Sequence, residues 1–296
     1  MRPLVSVIVA TYRRDNTLWN SLLSLTTQTY APIEIVLVDD NGVLEWNNKV
    51  NSIVDRFKCS FPNISFLHII NAQNQGSAKT RNIGIEAAHG EYVTFLDDDD
   101  LYLPSKVERQ VSFMRSEGLD YCVTDLELYN ENDKLIDKRT RTYLCQTHKQ
   151  NLFECHLKYH ITGTDTMMFR KDYITAFGGF LLIDVGDEFY LMQRSIERGG
   201  KFGYLPVCDI KAYVHTGDGG LSSGQRKIDG ENFLYNYKKQ YFEKLSRKTV
   251  KYIKARHYAV LAYAYLRMKD YGDFLKNSLR GFLCAPIMFC GILFNR

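Results

Sequence analysis

Four successive carboxylates, Asp97, Asp98, Asp99 and Asp100, follow an apolar run over residues 92–96. The run is β-branched and aromatic without polar alternation, the pattern of a parallel-sheet strand covered on both faces. Open α/β sheets bind ligands beyond the carboxyl ends of such strands, which is where these acids fall. Adjacent like charges repel by about 1 kcal/mol per pair in water, and by several times that beside a low-dielectric wall. A cation relieves the repulsion. Oxygen-only ligands suit a hard divalent ion, Mg2+ or Mn2+, held by one or two carboxylates and the phosphates of a substrate. The plainer reading is a solvated acidic turn in which Asp100 or Ser105 caps the helix beginning near Pro104.

Chemistry at that turn requires a sheet to hold it. Residues 4–10 read as a first strand, closed by the loop Thr11-Tyr12-Arg13-Arg14. Asp15 or Asn16 can then cap a helix in which Leu18, Leu22 and Leu25 recur at helical spacing. A second strand over 33–38 ends in Asp39-Asp40-Asn41-Gly42, and a polar helix covers 45–57. A third strand over 64–70 leads into a helix over 77–88, which His89-Gly90 closes with glycine at the usual capping position. Strand, helix and strand within forty residues form the unit of a parallel α/β sheet. Three strand ends thus bring polar groups to one edge. Further on, the pattern predicts a helix over 105–117, strands at 121–129 and 164–170, and a helix over 187–198.

The chain has 296 residues, 45% of them hydrophobic, enough for a full core. Its seven cysteines are scattered with no CxxC pair, which argues for reduced thiols in a cytosolic setting rather than a disulfide framework or a zinc site. Met1 to Thr11 is apolar but reads as a strand rather than a signal peptide. Charge is unevenly placed: residues 1–225 carry 23 Lys and Arg against 29 Asp and Glu, and residues 226–296 carry 15 against 5. Two parts follow, a domain over 1–225 and a basic, aromatic-rich helical tail over 226–296. The apolar stretch 281–294 is too short to cross a bilayer but can lie in its surface, beside basic residues that attract anionic lipid. A helix pair docked on the first domain is the alternative. Nucleic acid is not an expected partner, since no reading motif accompanies the basic residues.

Five blocks in order carry a resemblance. Ser6 to Tyr12, Ser24-Leu25 with Gln28-Thr29-Tyr30, Glu34 to Asn41, Gly76-Ser77 with Arg81-Asn82, and Gly90 to Asp100 together resemble the inverting family-two glycosyltransferases. The likeness weakens towards residue 225 and does not cover the tail. It implies a GT-A fold, a Rossmann-like, mostly parallel sheet flanked by helices, here with a C-terminal helical extension. It also implies a nucleoside-diphosphate sugar as donor and a DxD motif that holds a divalent metal on the pyrophosphate. Carried over, Asp97 and Asp99 are the ends of that motif, with Asp99 the direct metal ligand. Tyr12 packs on the nucleobase, Asp40 accepts its N–H, and Arg81 lies near the nucleotide. Ala10 and Asp98 complete the donor-binding set, and His215, ahead of the glycine-rich stretch 217–224, approaches the metal or the diphosphate. The stretch itself suits a lid.

A departing diphosphate needs its charge stabilised and the acceptor hydroxyl needs a base. Where the family places that base the chain reads Gly186-Asp187-Glu188, an order swapped from the usual one. Asp187 is favoured, with Glu188 as the alternative. The structural readings are an N-cap for Asp187, a packing aromatic for Tyr12, a bridge from Arg81 to Glu86 or Asp40, and a loop anchor for Asp39. The whole implies metal-assisted transfer of a sugar, from a UDP-sugar first, to a hydroxyl of a glycan or lipid-linked acceptor in cell-surface polysaccharide synthesis. The setting implied is cytoplasmic, peripheral on the inner face of the plasma membrane. Two rivals stand against it: a catalytically silent nucleotide-sugar-binding or scaffold protein, and a sugar nucleotidyltransferase, which needs a glycine that residues 11–14 lack.

Overall fold

The computed structural model describes residues 2–144, 152–183, 186–214 and 224–294. Two compact units divide the chain, Met1–Thr147 with Thr162–His215, and His148–Ile161 with Thr216–Arg296.

The first unit is built on one nine-stranded sheet. Its N-terminal half is parallel: β1 (Val5–Thr11) lies between β2 (Ile33–Asp39) and β4 (Tyr92–Asp97), and β2 carries β3 (Ser65–Ile70) on its outer side. Both faces of β1, β2 and β4 are covered, so these strands lack polar alternation, while the outer β3 is only partly buried. Val5, Val7 and Val9 join Leu18, Leu22 and Leu25 of α1 (Leu18–Thr26) in one core. Ile8 points the other way, to α3 (Ser77–Ala87), where a Cβ on Gly84 would lie 2.5 Å from its Cγ2. α2 (Leu44–Ser60) adds Val50, Val54 and Phe57 to the first face.

The remaining strands turn the sheet antiparallel and back. β8 (Met167–Arg170) runs antiparallel to both β4 and β6 (Tyr121–Tyr129). β9 (Phe202–Tyr213) is parallel to β6 and antiparallel to the short β5 (Leu101–Tyr102), and β7 (Leu135–Arg139) pairs with β6 as the outer arm of a hairpin. The helices of this half are α4 (Lys106–Glu117), α6 (Lys171–Thr175) and α7 (Asp187–Glu197).

Three local expectations are corrected. α1 is capped by Thr17, not by Asp15 or Asn16, and no side chain closes that cap. α4 begins after Ser105 without a side-chain cap, and Asp100 instead accepts the N–H of Tyr213 at 2.8 Å. α3 ends in an extended Ala88, so Gly90 is not its left-handed cap. Gly90 is required for space: a Cβ there would stand 2.6 Å from the Ser6 nitrogen. Its N–H donates to Ser6 Oγ, which in turn donates to Glu34 at 2.6 Å, closing a buried network at the foot of the sheet.

The second unit is helical: α5 (Leu152–Tyr159), α8 (Gly224–Lys239), α9 (Arg247–Arg267), α10 (Tyr271–Cys284) and α11 (Pro286–Phe294). α5 was not read from sequence. Asp270 caps α10 by accepting the Asp273 N–H at 3.1 Å, which ends the α9 to α10 turn where residues 270–273 place it. Ala255 and Ala259 of α9 pack against Ala285 and Phe289.

Candidate functional site

The parallel register sets the site. Thr11 lies opposite Asp39, and Ala10 lies between Val38 and Asp97, so the carboxyl ends of β1, β2 and β4 open together. Four carboxylates that look alike in sequence take different places there. Asp97 keeps 38% of its side chain exposed. Asp98 is buried and accepts the Tyr12 N–H at 3.3 Å. Asp99 is held by Arg14 at 2.7 Å. Asp100 turns inward beneath them.

Burial pushes the Asp98 carboxyl up to about 7. Burial, with the charges of Asp97 and Asp99, likewise pushes Asp100 up to about 7. A further acid joins from the turn Thr164–Thr166: Asp165 accepts the Asp97 N–H at 3.0 Å and is itself buried. Burial and the neighbouring Asp97 and Asp100 raise it well above the ordinary carboxylate range. Asp97, Asp100 and Asp165 each place an oxygen within 4.8 Å of the others. These hard oxygen donors, with Asp99 beside them, fit Mg2+ or Mn2+ and not a soft metal.

Arg81 joins this group to the predicted base. Its guanidinium, 11% exposed, donates to Asp97 at 2.7 Å and to Asp187 at 3.1 Å. Burial alone lowers an arginine, but Asp97 and Asp187 outweigh it and hold Arg81 above its ordinary value. The structural bridge expected to Glu86 or Asp40 is therefore replaced by one across the site. The next residue fixes the far side: Asn82 donates to Phe180 O and accepts the Phe180 N–H, both at 2.8 Å. Gly179 takes a positive φ of 63° beside it, in contact too close for a Cβ.

Asp187 opens α7 behind a left-handed Gly186. Its Oδ2 also accepts from Ser77 Oγ at 3.3 Å. Glu188 accepts the Gly163 N–H at 2.6 Å, and burial followed by the Asp187 charge raises its carboxyl. Asp187 thus faces Arg81 and Ser77 and is joined to Asp97 through Arg81, whereas Glu188 is tied to the backbone before Asp165.

The remaining predicted residues are placed as follows. Tyr12 is 43% exposed, with the Arg13 guanidinium 5.1 Å from its ring, which makes it an open platform rather than a packing aromatic. Asp40 is buried and accepts from Asn71 Nδ2 and from the N–H groups of Gln75 and Gly76, so it shapes the loop before α3. Asp39 anchors its own turn through Asn41, as expected. His215 and residues 217–223 of the lid stretch 217–224 lie outside the described residues, and Gly224 opens α8. Sequence reasoning missed Arg14 and Asp165. The latter had a signal, a lone acid with one residue between it and the wholly apolar Met167, Met168 and Phe169.

Residues 6–177 match the family model described as glycosyl transferase family 2. An Escherichia coli protein, UDP-Glc:alpha-D-GlcNAc-diphosphoundecaprenol beta-1,3-glucosyltransferase WfaP, is 33% identical over 232 residues, 78% of this chain and 85% of that one. A Haemophilus influenzae protein named only as an uncharacterized glycosyltransferase is 36% identical over 130 residues; the match takes in 42% of this chain and half of that relative. Among solved structures, S. aureus TarS 1-349 in complex with UDP-GlcNAc superposes with a TM-score of 0.61 at 16% identity, over 94% of this chain and 91% of that one. The mannosyltransferase PcManGT from Pyrobaculum calidifontis, in complex with GDP-Man and Mn2+, gives 0.57 at 16% identity, over all of this chain and 75% of that one. At that identity the likeness shows the fold, the GT-A arrangement expected from sequence.

Proposed function

Because the chain belongs to glycosyltransferase family 2, we propose that it moves a hexose from a nucleoside-diphosphate sugar to a hydroxyl of a lipid-linked glycan, with inversion at the transferred carbon. The donor is a UDP-sugar, as in the name of the relative WfaP, and the acceptor is a sugar on a polyprenol diphosphate. A lipid-linked acceptor puts the reaction at a membrane surface, and a nucleotide-sugar donor puts it on the cytoplasmic side.

The observation that carries the reading is Arg81, which binds Asp97 and Asp187 at once. Inversion by a single displacement needs a base and a stabilised leaving group on opposite sides of one carbon, at a fixed separation. A buried guanidinium between the two carboxylates sets that separation. Asp187 takes the acceptor proton. Tyr12 presents its ring to the nucleobase, while Asp40 holds the loop beneath. Asp97, with Asp100 and Asp165 and with Asp99 beside them, would hold a divalent ion, which when bound neutralises the charge developing on the diphosphate.

Calorimetry with UDP-, dTDP- and GDP-sugars, with and without Mn2+, tests this. UDP-sugar binding that needs Mn2+ and is lost in Asp97→Asn is expected. Asp187→Asn is expected to keep binding and to lose about 10²–10⁴-fold in turnover. Absence of nucleotide-sugar binding, or an unchanged Asp97→Asn protein, overturns it.

A further inference from the structure

We propose that the outer face of α10 and α11 is a docking surface for an anionic lipid bilayer. α10 is packed inside out, while α11 buries Phe289 against α9 and leaves Ile287 outside. The buried residues of α10 are Asn277 and Gly281, one polar and one without a side chain. Its large apolar residues face solvent: Leu275 is 64% exposed, Leu279 60% and Leu283 72%, and on α11 Ile287 is 90% exposed. Tyr271 and Phe282, also exposed, extend the same face. The four-residue step from Tyr271 through Leu275, Leu279 and Leu283 keeps them on one stripe. Gly281 explains how the inner side closes, since a Cβ there would stand 2.2 Å from the ring of Phe289.

Charge identifies the occupant. Between Arg247 and Leu293 the only acids are Asp270 and Asp273, and both are used at the start of α10, in its cap and in a pair with Lys276 at 3.3 Å. Lys276 and Arg280 flank the apolar stripe, and both are exposed. Cys284 Sγ contacts Lys251 O at 4.0 Å, which lays the cationic start of α9, with Arg247, Lys248 and Lys251 exposed, beside the apolar end of α10. An apolar stripe rimmed by cations fits a surface that is apolar within and anionic at its rim. A second copy fits poorly, because a two-fold contact through this face would set the same cations against each other. No described helix is long and apolar enough to cross the bilayer, so the pair lies in its plane.

This names the membrane contact that the transfer reading calls for, and its test uses no sugar donor, so the two stand or fall apart. The full chain is sedimented with phosphatidylcholine vesicles, with and without phosphatidylglycerol, at low and high salt. Binding to the anionic vesicles that weakens with salt is expected. Leu279→Ser with Leu283→Ser, and separately Lys276→Glu with Arg280→Glu, should each lower it by about tenfold or more. All four positions are exposed, so the circular dichroism and melting of these variants should stay those of the parent. The proposal is overturned if anionic vesicles do not bind, if neutral ones bind equally, or if both variants partition like the parent. It is also overturned if sedimentation velocity shows a dimer that the serine variant dissociates, which assigns the face to a second copy.

Discussion

Replacing Arg81 by Gln removes one charge from between two of opposite sign. The Arg81 and Asp187 side chains are only 11% and 10% exposed, so the Asp187 carboxylate is left out of water without its partner. Breaking a buried ion pair from one side costs about 3–5 kcal/mol, a large share of the roughly 5–15 kcal/mol that holds a domain together. Asp97 contributes less to that cost, because 38% of it faces solvent and water takes over from the guanidinium. For a domain of this size the melting point should fall by about 6–20 °C. Removing the second charge as well tests the cause. Arg81→Gln with Asp187→Asn leaves two neutral amides that can bond to each other, so the double variant should regain about 0.5–3 kcal/mol over the sum of the single losses. Thermal and urea unfolding by circular dichroism read this without knowledge of the acceptor. A single Arg81→Gln variant that loses under about 1 kcal/mol, or a double variant whose losses simply add, would refute the bridge and with it the fixed distance between base and leaving group.

Two further perturbations probe the frame that holds the site. Gly90→Ala drives a methyl to within 2.6 Å of the Ser6 nitrogen and 2.7 Å of its Oγ, so β1 must shift; about 1–3 kcal/mol of stability should be lost by denaturant titration, and an unchanged midpoint would show that the network with Glu34 is slack. Lys106 is buried, donating to Thr94 Oγ1 at 2.5 Å and Tyr102 OH at 2.6 Å, and burial lowers it from 10.5 to about 7. Between those two values the unfolded chain keeps the proton that the folded one has shed, so stability rises with pH across the window, by on the order of 5 kcal/mol. Lys106→Met should remove that rise; parallel unfolding curves for parent and variant between pH 7 and pH 10 (about the window itself) would contradict it.

What could be read from sequence followed from how locally each feature is determined. β1, β2 and β4 are legible as apolar runs because helices cover both their faces, and the five family blocks fall on these three strands and their ends, on the end of α1 with the loop after it, and on α3. β9 is harder to read, since Gly203, Pro206 and Asp209 interrupt it. The sheet absorbs the proline by a register shift: Thr124 pairs with Leu205 but Asp125 with Cys208, so Pro206 falls in the bulge where no ladder donor is needed. The acidic turn shows the same division. Its position is local, set by the end of an apolar strand, but the state of each carboxylate depends on chain far away. Asp165 takes up the Asp97 N–H and Tyr213 donates to Asp100. Arg14 reaches Asp99 from the loop after β1. Arg81 is the sharpest instance. Glu86, on its own helix, lies five residues on, outside the three- and four-residue steps that bring side chains together; Arg81 turns instead to Asp97 and Asp187, 106 positions from the latter. A surface pair at helical spacing contributes only a few tenths of a kcal/mol, about a tenth of what two partly desolvated carboxylates gain from one guanidinium. The longer-range contact prevails wherever the fold brings those acids together. Reading the helix alone therefore finds the residue and misses the bridge that gives it a function.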